Sequence, residues 1–398
     1  MYKKIYLKKG KEESLHRYHP WIFSGAVARK AEDIEEGEIV RVLTSHDEFI
    51  AIGHYQIGSI AIRVLSFEDI TIDARFWEER IRTALEVRKA IGVIKSANAP
   101  ELQNTTYRLV HGEGDNLPGL IVDVYGKTCV VQAHSVGMHI NRKEVADAII
   151  KVFGIQIDSI YYKSETTLPY KANLQQEDGF LYGRTDNNIA IENGLKFKID
   201  WLKGQKTGFF IDQRNNRRLL EFYAKNRTVL NMFCYTGGFS VYAMRGGAKL
   251  VHSVDSSAKA IELTNENINL NFPNDLRHTA YCADAFKYLD ENNGKYDLLV
   301  LDPPAFAKHR SALRNGLRGY IRLNLKGLEK IKHGGILFTF SCSQVVTKEQ
   351  FRQAVFTAAT QAGRRVRILH QLHQPADHPI NIYHLEGEYL KGLVLYVE

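Results

Sequence analysis

The residues best suited to covalent chemistry stand just after two apolar runs. Ser341-Cys342-Ser343 follows residues 335–340, and Asp302-Pro303-Pro304-Ala305-Phe306 follows residues 296–301. Taken alone, a cysteine beside an apolar strand is most often a small core residue. Adjacent parallel strands, however, would bring Cys342 and Asp302 to the same edge of a sheet, where ligands bind. The two prolines stiffen the turn and fix the Asp302 carboxylate and the nearby carbonyls. Asp302 can then hydrogen-bond a flat base edge, and Pro303 offers an unpaired carbonyl. A Pro-Pro strand terminator with a capping Asp is the plainer account of the same residues.

A second group of residues has the make-up of a nucleoside site. Residues 229–233 read as a strand, and Cys234-Tyr235-Thr236-Gly237-Gly238-Phe239 reads as the turn into a helix. Glycine there lets backbone approach a ligand, and a helix start presents free N–H donors. Asp255 closes the next strand, where a carboxylate can accept both hydroxyls of a ribose. Asp284 follows the third strand, in position to face an adenine amino group. Gly237 and Gly238 alone fit a plain tight turn, but with both acids at strand ends the set reads as nucleoside binding. The GxGxxG pattern and its pyrophosphate cradle are missing, which favours S-adenosylmethionine over NAD. Gly204-Gln205-Lys206-Thr207-Gly208 lacks the upstream glycine of a phosphate loop and follows no buried parallel strand.

A thiol, a carboxylic acid and a methyl donor together make one reaction plausible. Carbon 5 of a pyrimidine is a poor nucleophile. Thiolate addition at carbon 6 makes carbon 5 enamine-like, Asp302 protonates or hydrogen-bonds N3, and a base later removes the carbon 5 proton. The sulfonium and nearby cations favour the thiolate. A base inside structured nucleic acid must first leave its stack. Of the other cysteines, Cys129 and Cys282 sit within strand patterns and Cys234 lies in the turn. No CxxC pair exists, so neither a zinc site nor a disulfide framework is expected, and the reducing cytoplasm is the default compartment.

Charge points to a polyanion. The chain carries 53 Lys plus Arg against 45 Asp plus Glu, a formal charge of +8. Residues 1–70 hold 10 basic and 11 acidic side chains, residues 71–195 hold 14 and 16, and residues 196–398 hold 29 and 18. The excess therefore lies wholly in the C-terminal half, as a phosphate-backbone partner or a solubilising surface would require. Arg310, Arg314, Arg318, Arg322, Lys326 and Lys330 recur every fourth residue, flanked by Lys308 and Lys332. On a helix this is a stripe of like charges that repel, and a phosphate backbone would supply the counter-charge. Acids from elsewhere in the fold are the alternative.

These groups must be positioned by the elements around them. At 398 residues the chain is long enough for two or three domains. Residues 39–43, 49–52 and 60–64 read as short strands of a small β-barrel or sandwich. Residues 77–90 have helical periodicity, with Trp77, Ile81, Leu85 and Arg88 on one face. Strand-like runs at 119–124, 129–133 and 159–162, with a helix at 142–152, make a mixed α+β module that ends in the polar stretch 178–188. Beyond residue 228 strands alternate with helices: strands at 229–233, 250–254, 279–282, 296–301, 336–341, 366–369 and 392–397, helices at 239–245, 258–271, 284–291, 314–332 and 348–362. This is an α/β pattern, a mostly parallel sheet covered on both faces. The N-terminus lacks a signal-peptide run, and no stretch is apolar enough to span a bilayer.

The motifs, in order, resemble one family: the bacterial 23S ribosomal RNA cytosine-5 methyltransferases with an N-terminal PUA domain. His19-Pro20-Trp21-Ile22-Phe23-Ser24-Gly25 is similar to the PUA opening, and Ser59-Ile60-Ala61-Ile62-Arg63-Val64-Leu65 to its closing strand. The run from Tyr107-Arg108 through Asp115 and Gly119 to Asp123 resembles the central-module signature. The run from Gly204 through Gly208 and Asp212 to Gln213-Arg214 resembles the lead into the methyltransferase core, and Tyr389-Leu390-Lys391-Gly392 the last strand. The resemblance implies a PUA-like RNA-binding domain (1–70), a central α+β module (71–187) and a seven-stranded Rossmann-like methyltransferase domain (188–398). It implies S-adenosyl-L-methionine as donor, Cys342 as nucleophile, with Asp302 beside it in the catalytic role argued above, and 23S ribosomal RNA as substrate. Donor contacts are then expected from Asn231, Phe233, Tyr235, Thr236, Gly237, Asp255, Ser256, Asp284, Ala285, Asp302, Phe210 and Arg214. RNA contacts are expected from Pro303, Lys308, Arg310, Arg314, Arg318 and Arg322. Many cytosine-5 RNA methyltransferases carry a second cysteine after the Asp-Pro-Pro turn; Ala305 stands here, which leaves the proton-removing base unassigned. Asn231 stands where many relatives have Asp.

The same fold could methylate an exocyclic amino group such as guanine N2, though that chemistry needs no thiol and usually starts its turn with Asn-Pro-Pro. A nonenzymatic RNA-binding factor would have no need of Asp255, Asp302 and Cys342 together. Of the histidines at 370, 373, 378 and 384, Asp377-His378-Pro379 is a candidate wall of the base pocket; their irregular spacing argues against a metal. Trp21, Phe23, Tyr161 and Tyr162 are candidates for stacking on bases, with core burial the alternative. A homodimer is left open.

Overall fold

The computed structural model describes residues 2–94, 103–169, 174, 178–292 and 296–398. The chain forms two compact units. The first comprises residues 1–194, 199–211 and 376–387, the second residues 195–198, 212–375 and 388–398.

The first unit begins with β1 (Lys3–Leu7), α1 (Glu13–His16), β2 (Trp21–Phe23), β3 (Val27–Lys30), β4 (Ile39–Leu43), β5 (Phe49–Tyr55) and β6 (Ile60–Ser66). They pair in the order β2-β6-β5-β4-β1-β3, with β1 parallel to β4. Alternating residues Ile5, Leu7, Val40, Val42, Ile62 and Val64 bury one face. Next come α2 (Ala74–Ala90), β7 (Thr106–His111), β8 (Leu120–Tyr125), β9 (Thr128–Ala133), α3 (Val136–Ile140), α4 (Arg142–Phe153), β10 (Ser159–Tyr162), β11 (Gly179–Tyr182) and β12 (Ile189–Glu192). Strands β7–β11 form a sheet of order β11-β10-β9-β8-β7. Helix α2 is capped by Asp73, which accepts from the N–H groups of Arg75 and Phe76. As the periodicity predicts, Trp77, Ile81, Leu85 and Arg88 are buried. Arg88 pairs through both terminal guanidinium nitrogens with Asp115 and donates to the Asp377 carbonyl at 2.8 Å.

The second unit contains β13 (Leu195–Lys198), α5 (Arg214–Ala224), β14 (Thr228–Met232), α6 (Gly238–Arg245), β15 (Leu250–Asp255), α7 (Ala258–Asn271), β16 (His278–Cys282), α8 (Ala285–Glu291), β17 (Tyr296–Leu301), α9 (Leu313–Lys330), β18 (Ile331–Ser341), α10 (Lys348–Gln361), β19 (Val366–Leu372) and β20 (Lys391–Val397). Seven strands line up as β16-β15-β14-β17-β18-β20-β19. The first five are mutually parallel; β20 runs antiparallel to both its neighbours. This is the expected seven-stranded Rossmann-like sheet. Its central strands β14, β17 and β20 are mostly apolar and buried because helices cover both faces, whereas the edge strands β16 and β19 mix polar with apolar residues and are unburied. Among the described residues no helix is long and apolar enough to cross a membrane.

Several expectations are corrected. The helix expected over 314–332 stops at Lys330, and β18 starts at Ile331 rather than at 336, because Ile331 pairs with Tyr296 across an irregular register. Phe233 falls outside β14, with φ +57. Strands β1, β2, β3 and β7 carry no alternation that singled them out, and β11 lies inside the polar stretch expected to be a boundary. Antiparallel pairing with β10 makes it a strand. Tyr161 and Tyr162 are buried rather than available for stacking, with Tyr162 donating to or accepting from His139 at 2.7 Å.

Candidate active site

Register decides which residues meet. Met232 lies opposite both Val254 and Leu301, Leu301 opposite Thr339, and Asp255 opposite Cys282. The residues just past those pairs therefore share the C-terminal rim of the sheet. They include Phe233, Asp255, Asp284, Asp302 and Cys342. The strand order reverses between β14 and β17, the switch point where open α/β sheets bind ligands.

The loop after β14 is held in an unusual conformation. Phe233, Tyr235 and Gly237 all have positive φ, at +57, +48 and +77. For Phe and Tyr this costs free energy that surrounding contacts must offset. The contacts are visible: Cys234 N–H donates to Val254 O at 3.0 Å, and Tyr235 N–H to Asp255 Oδ2 at 3.0 Å. From α7, Thr264 Oγ1 donates to Tyr235 O at 2.8 Å and Asn267 Nδ2 to Thr236 O at 2.9 Å. Strain of this kind clusters at ligand sites. Asp255 also accepts from Ser257 N–H at 2.9 Å, which fixes the carboxylate and leaves it lone pairs for hydroxyl donors. Asp284 caps α8 by accepting from Lys287 N–H at 2.9 Å, with Ala285 the first helical residue. An open groove runs past Cys282, Ala283, Asp284, Lys287 and Tyr288. Asn231 is buried and donates to Ser240 Oγ at 2.9 Å, while its Oδ1 has no hydrogen-bond partner. An ammonium group would satisfy that acceptor. A strained loop, a ribose-type carboxylate and an orphaned acceptor beside the strand end fit an S-adenosylmethionine-sized nucleoside. Thr236 is buried, Ser256 is exposed, and Arg214 is buried at the start of α5. Phe210 belongs to the first unit, where Lys206 Nζ stands 4.6 Å from its ring centre.

The two reactive candidates are joined through their turns. Asp302, half-buried, accepts from Gln213 Nε2 at 3.0 Å, and Gln213 Oε1 in turn accepts from Asn216 Nδ2 at 2.6 Å. Cys342 is also half-buried, its Sγ 4.0 Å from Pro303 O. The carbonyl expected to be unpaired thus faces the thiol, and Pro303 itself is buried. Ser343 Oγ accepts from Ala307 N–H at 3.3 Å and bonds the Tyr320 hydroxyl at 2.8 Å, tying the turns after β17 and β18 together. Burial pushes the Tyr320 hydroxyl up from its ordinary value. Of the other thiols, Cys129 and Cys234 are buried, and burial holds both protonated, Cys234 pushed up to about 12. Cys282 is exposed, with its Sγ 3.6 Å from Ser256 O.

The cationic stripe divides in two. Lys308, Arg310, Arg314, Arg318 and Arg322 are exposed, and among the described residues none forms an ion pair. Arg322 lies over the Phe286 ring at 4.6 Å. Lys326 is paired with Asp290 at 2.7 Å, and Lys330 donates to Asn292 O at 2.6 Å. Acids and carbonyls of the fold thus account for one end of the stripe only.

Sequence reading missed Gln213, Asn216, Thr264, Tyr320 and Lys391. Gln213 and Lys391 stand in quoted motifs, but nothing in their spacing links them to Asp302 or Cys342. In the first unit Asp377 and His378 are buried; Asp377 Oδ2 accepts from Arg108 N–H at 3.0 Å. Trp21 Nε1 donates to Glu113 at 2.8 Å, while Phe23 is 48% exposed, its ring centre 6.2 Å from that of His19 and 6.4 Å from that of Trp21. His384 lies 2.9 Å and His19 3.9 Å from the Glu386 carboxylate.

Comparison with known proteins places this geometry. A family model described as S-adenosylmethionine-dependent methyltransferase matches residues 179–379, and one described as a PUA-like domain matches residues 5–67. The chain is 40% identical over 399 residues to the ribosomal RNA large subunit methyltransferase I of Tolumonas auensis, covering 98% of each. It is 39% identical over 400 residues to that of Aeromonas hydrophila, again covering 98% of each. Among solved structures it is similar to an S-adenosylmethionine-dependent methyltransferase from Streptococcus mutans (TM-score 0.82, 22% identity, 99% of both chains). It is also similar to a methyltransferase in complex with S-adenosylhomocysteine (TM-score 0.83, 23% identity, 99% of both chains).

Proposed function

The chain belongs to the S-adenosylmethionine-dependent methyltransferases, in the family of the ribosomal RNA large subunit methyltransferase I proteins, and on that premise we propose that it methylates carbon 5 of a cytosine in large-subunit ribosomal RNA through a covalent Cys342 adduct. Residues 1–70 assist RNA binding, residues 71–187 form a central module, and residues 188–398 carry the transfer. Bound S-adenosylmethionine supplies a methyl group made electrophilic by its sulfonium. Asn231, Asp255 and Asp284 hold the donor, along with the N–H groups of the loop from Phe233 to Gly237.

The chain's own residues do the rest. Cys342 adds as thiolate to carbon 6 of the flipped cytosine, forming an S–C bond and moving electron density toward carbon 5 and N3. Asp302, its carboxyl oriented by Gln213, protonates or hydrogen-bonds N3 as the adduct forms. Carbon 5 is then nucleophilic enough to accept the methyl group. Loss of the carbon 5 proton to a base restores the double bond and expels the thiolate. Lys308, Arg310, Arg314 and Arg318 hold the RNA backbone.

The observation that carries this reading is a half-buried thiol and a half-buried carboxylate at the ends of the adjacent strands β18 and β17, with Cys342 Sγ 4.0 Å from Pro303 O and the two turns tied through Ser343. The test is incubation of the full chain with labelled S-adenosylmethionine and bacterial large-subunit RNA, comparing wild type with Cys342→Ala. Base analysis should show 5-methylcytosine with wild type only, and RNA containing 5-azacytosine should trap a covalent adduct at Cys342. Methylated guanine undiminished in the variant would replace this reading with amino-group methylation. RNA binding without any transfer would replace it with a nonenzymatic role.

A further inference from the structure

Lys391 is buried, at 6% exposure, as the first residue of β20. In register it lies opposite Ser341, the residue before Cys342. Its Nζ donates to Ser343 O, the residue after Cys342, at 2.6 Å. The lysine backbone thus pairs with the residue before the thiol, and its ammonium is bonded to the carbonyl of the residue after it. Among the described residues no carboxylate forms an ion pair with Lys391. Glu388 stands nearby but is bound to Lys348 of α10. A buried ammonium with one carbonyl partner and no counter-ion is costly. Folds do not retain such a charge for stability, and an anion beside it would offset the cost.

We infer that Lys391 is the positioning residue that holds Cys342 as its thiolate, and that the thiolate is the counter-ion this buried ammonium otherwise lacks. The inference rests on the reading of Cys342 as nucleophile. The charged and titratable groups around the pair are Asp302 at the end of β17, Tyr320 from α9, Lys348 from α10 and Glu388 before β20. Burial lowers the Lys391 ammonium, Cys342 and Glu388 raise it, Lys348 lowers it least, and together they leave it at about 8. Opposite charges this close favour each other's ionised form. The proton balance is simple. The thiol proton leaves to solvent, the lysine stays an ammonium throughout, and the thiolate expelled at the end of the reaction returns to the same partner. Ser343 O fixes the Nζ position, so the charge is in place before substrate arrives.

The test reads the thiol rather than methyl transfer. The full chain is alkylated with iodoacetamide between about pH 5 and pH 10, and modification is followed by mass spectrometry on the Cys342 and Cys282 peptides separately. Wild-type Cys342 should titrate below about 8.5, the ordinary thiol value. Lys391→Met should raise its midpoint by about one unit, which is about tenfold slower alkylation at neutral pH. Lys391→Arg should keep most of the effect, and Cys282 should be unchanged in all three proteins. An unchanged Cys342 midpoint in a folded Lys391→Met protein overturns the inference, as does an equal shift at Cys282. Should Lys391→Met not fold, wild type decides alone: a Cys342 midpoint at or above the ordinary value overturns it. A low midpoint that depends on Lys391, with no 5-azacytosine adduct, would sink the nucleophile reading and leave this inference standing. An adduct forming with a midpoint indifferent to Lys391 would do the reverse.

Discussion

Substituting Gly237 by alanine tests whether the donor loop is held by the contacts described. A Cβ there would lie 2.7 Å from Thr264 Cγ2 and 3.2 Å from both Thr264 Cβ and Oγ1. Thr264 is fully buried and donates to Tyr235 O, so it cannot turn away without releasing the strained loop. Two costs add. A left-handed φ of +77 in a residue with a Cβ costs about 1–2 kcal/mol, and crowding a packed threonine costs about 1–3 kcal/mol. The substitution should therefore destabilise the fold by about 2–5 kcal/mol. It should also weaken S-adenosylmethionine binding by about tenfold or more, since about 1.4 kcal/mol of loop distortion suffices. Thr264→Ser separates the two costs, because it deletes the 2.7 Å methyl and keeps the hydroxyl bond. In a double-mutant cycle by urea unfolding, Thr264→Ser should recover at least about 1 kcal/mol of the Gly237→Ala loss while leaving the backbone cost in place. Calorimetric titration with the donor should show the same partial recovery. A coupling below about 0.5 kcal/mol, the usual additivity error, would refute the claim that α7 buttresses the loop.

Two further outcomes follow from the geometry. His54 is fully buried, with Nε2 3.1 Å from Asn141 Nδ2 and no partner for Nδ1, and burial pushes it down to about 3. The unfolded chain takes up that proton near pH 6.5 and the folded chain does not. The His54 contribution is therefore intact above about pH 6.5 and is lost as pH falls toward 3, at up to about 1.4 kcal/mol per pH unit. Urea unfolding at a series of pH values should show a shallower acid slope in His54→Asn than in wild type, and an identical slope would sink the assignment. For the cationic stripe, the double substitution Arg314→Ala/Arg318→Ala should weaken RNA binding without regard to sequence and reduce the salt slope by about 2. Lys326→Ala/Lys330→Ala should leave that slope nearly unchanged, because those two side chains are engaged within the fold. The opposite pattern, read by filter binding across salt concentrations, would remove α9 from the RNA interface.

Much of the second unit was legible in sequence because its signals are local. Helix α7 and strand β17 follow from periodicity and an apolar run, each set within a few residues. The rim positions of Asp255, Asp302 and Cys342 follow as well, since alternating strands and helices force a parallel sheet whose strand ends share one edge. The first unit was harder. Strands β1 and β3 are only 5 and 4 residues long, and β11 is recognisable only through its pairing with β10. Pairing across long sequence distances leaves little trace in local pattern.

What only the tertiary structure decided is which side chains act on one another across elements. No spacing connects Gln213 with Asp302, 89 residues apart, or Lys391 with the turn around Cys342, 48 residues from its Ser343 partner. Nor could spacing tell that Lys326 meets Asp290 while Arg314 and Arg318 stay in solvent. The residue types fixed which reactions are chemically open to this chain, because thiol, carboxyl and glycine properties belong to the residues themselves. The protonation, orientation and pairing of those groups depend on burial and on partners a few ångströms away, and those exist only once the strands have found their register.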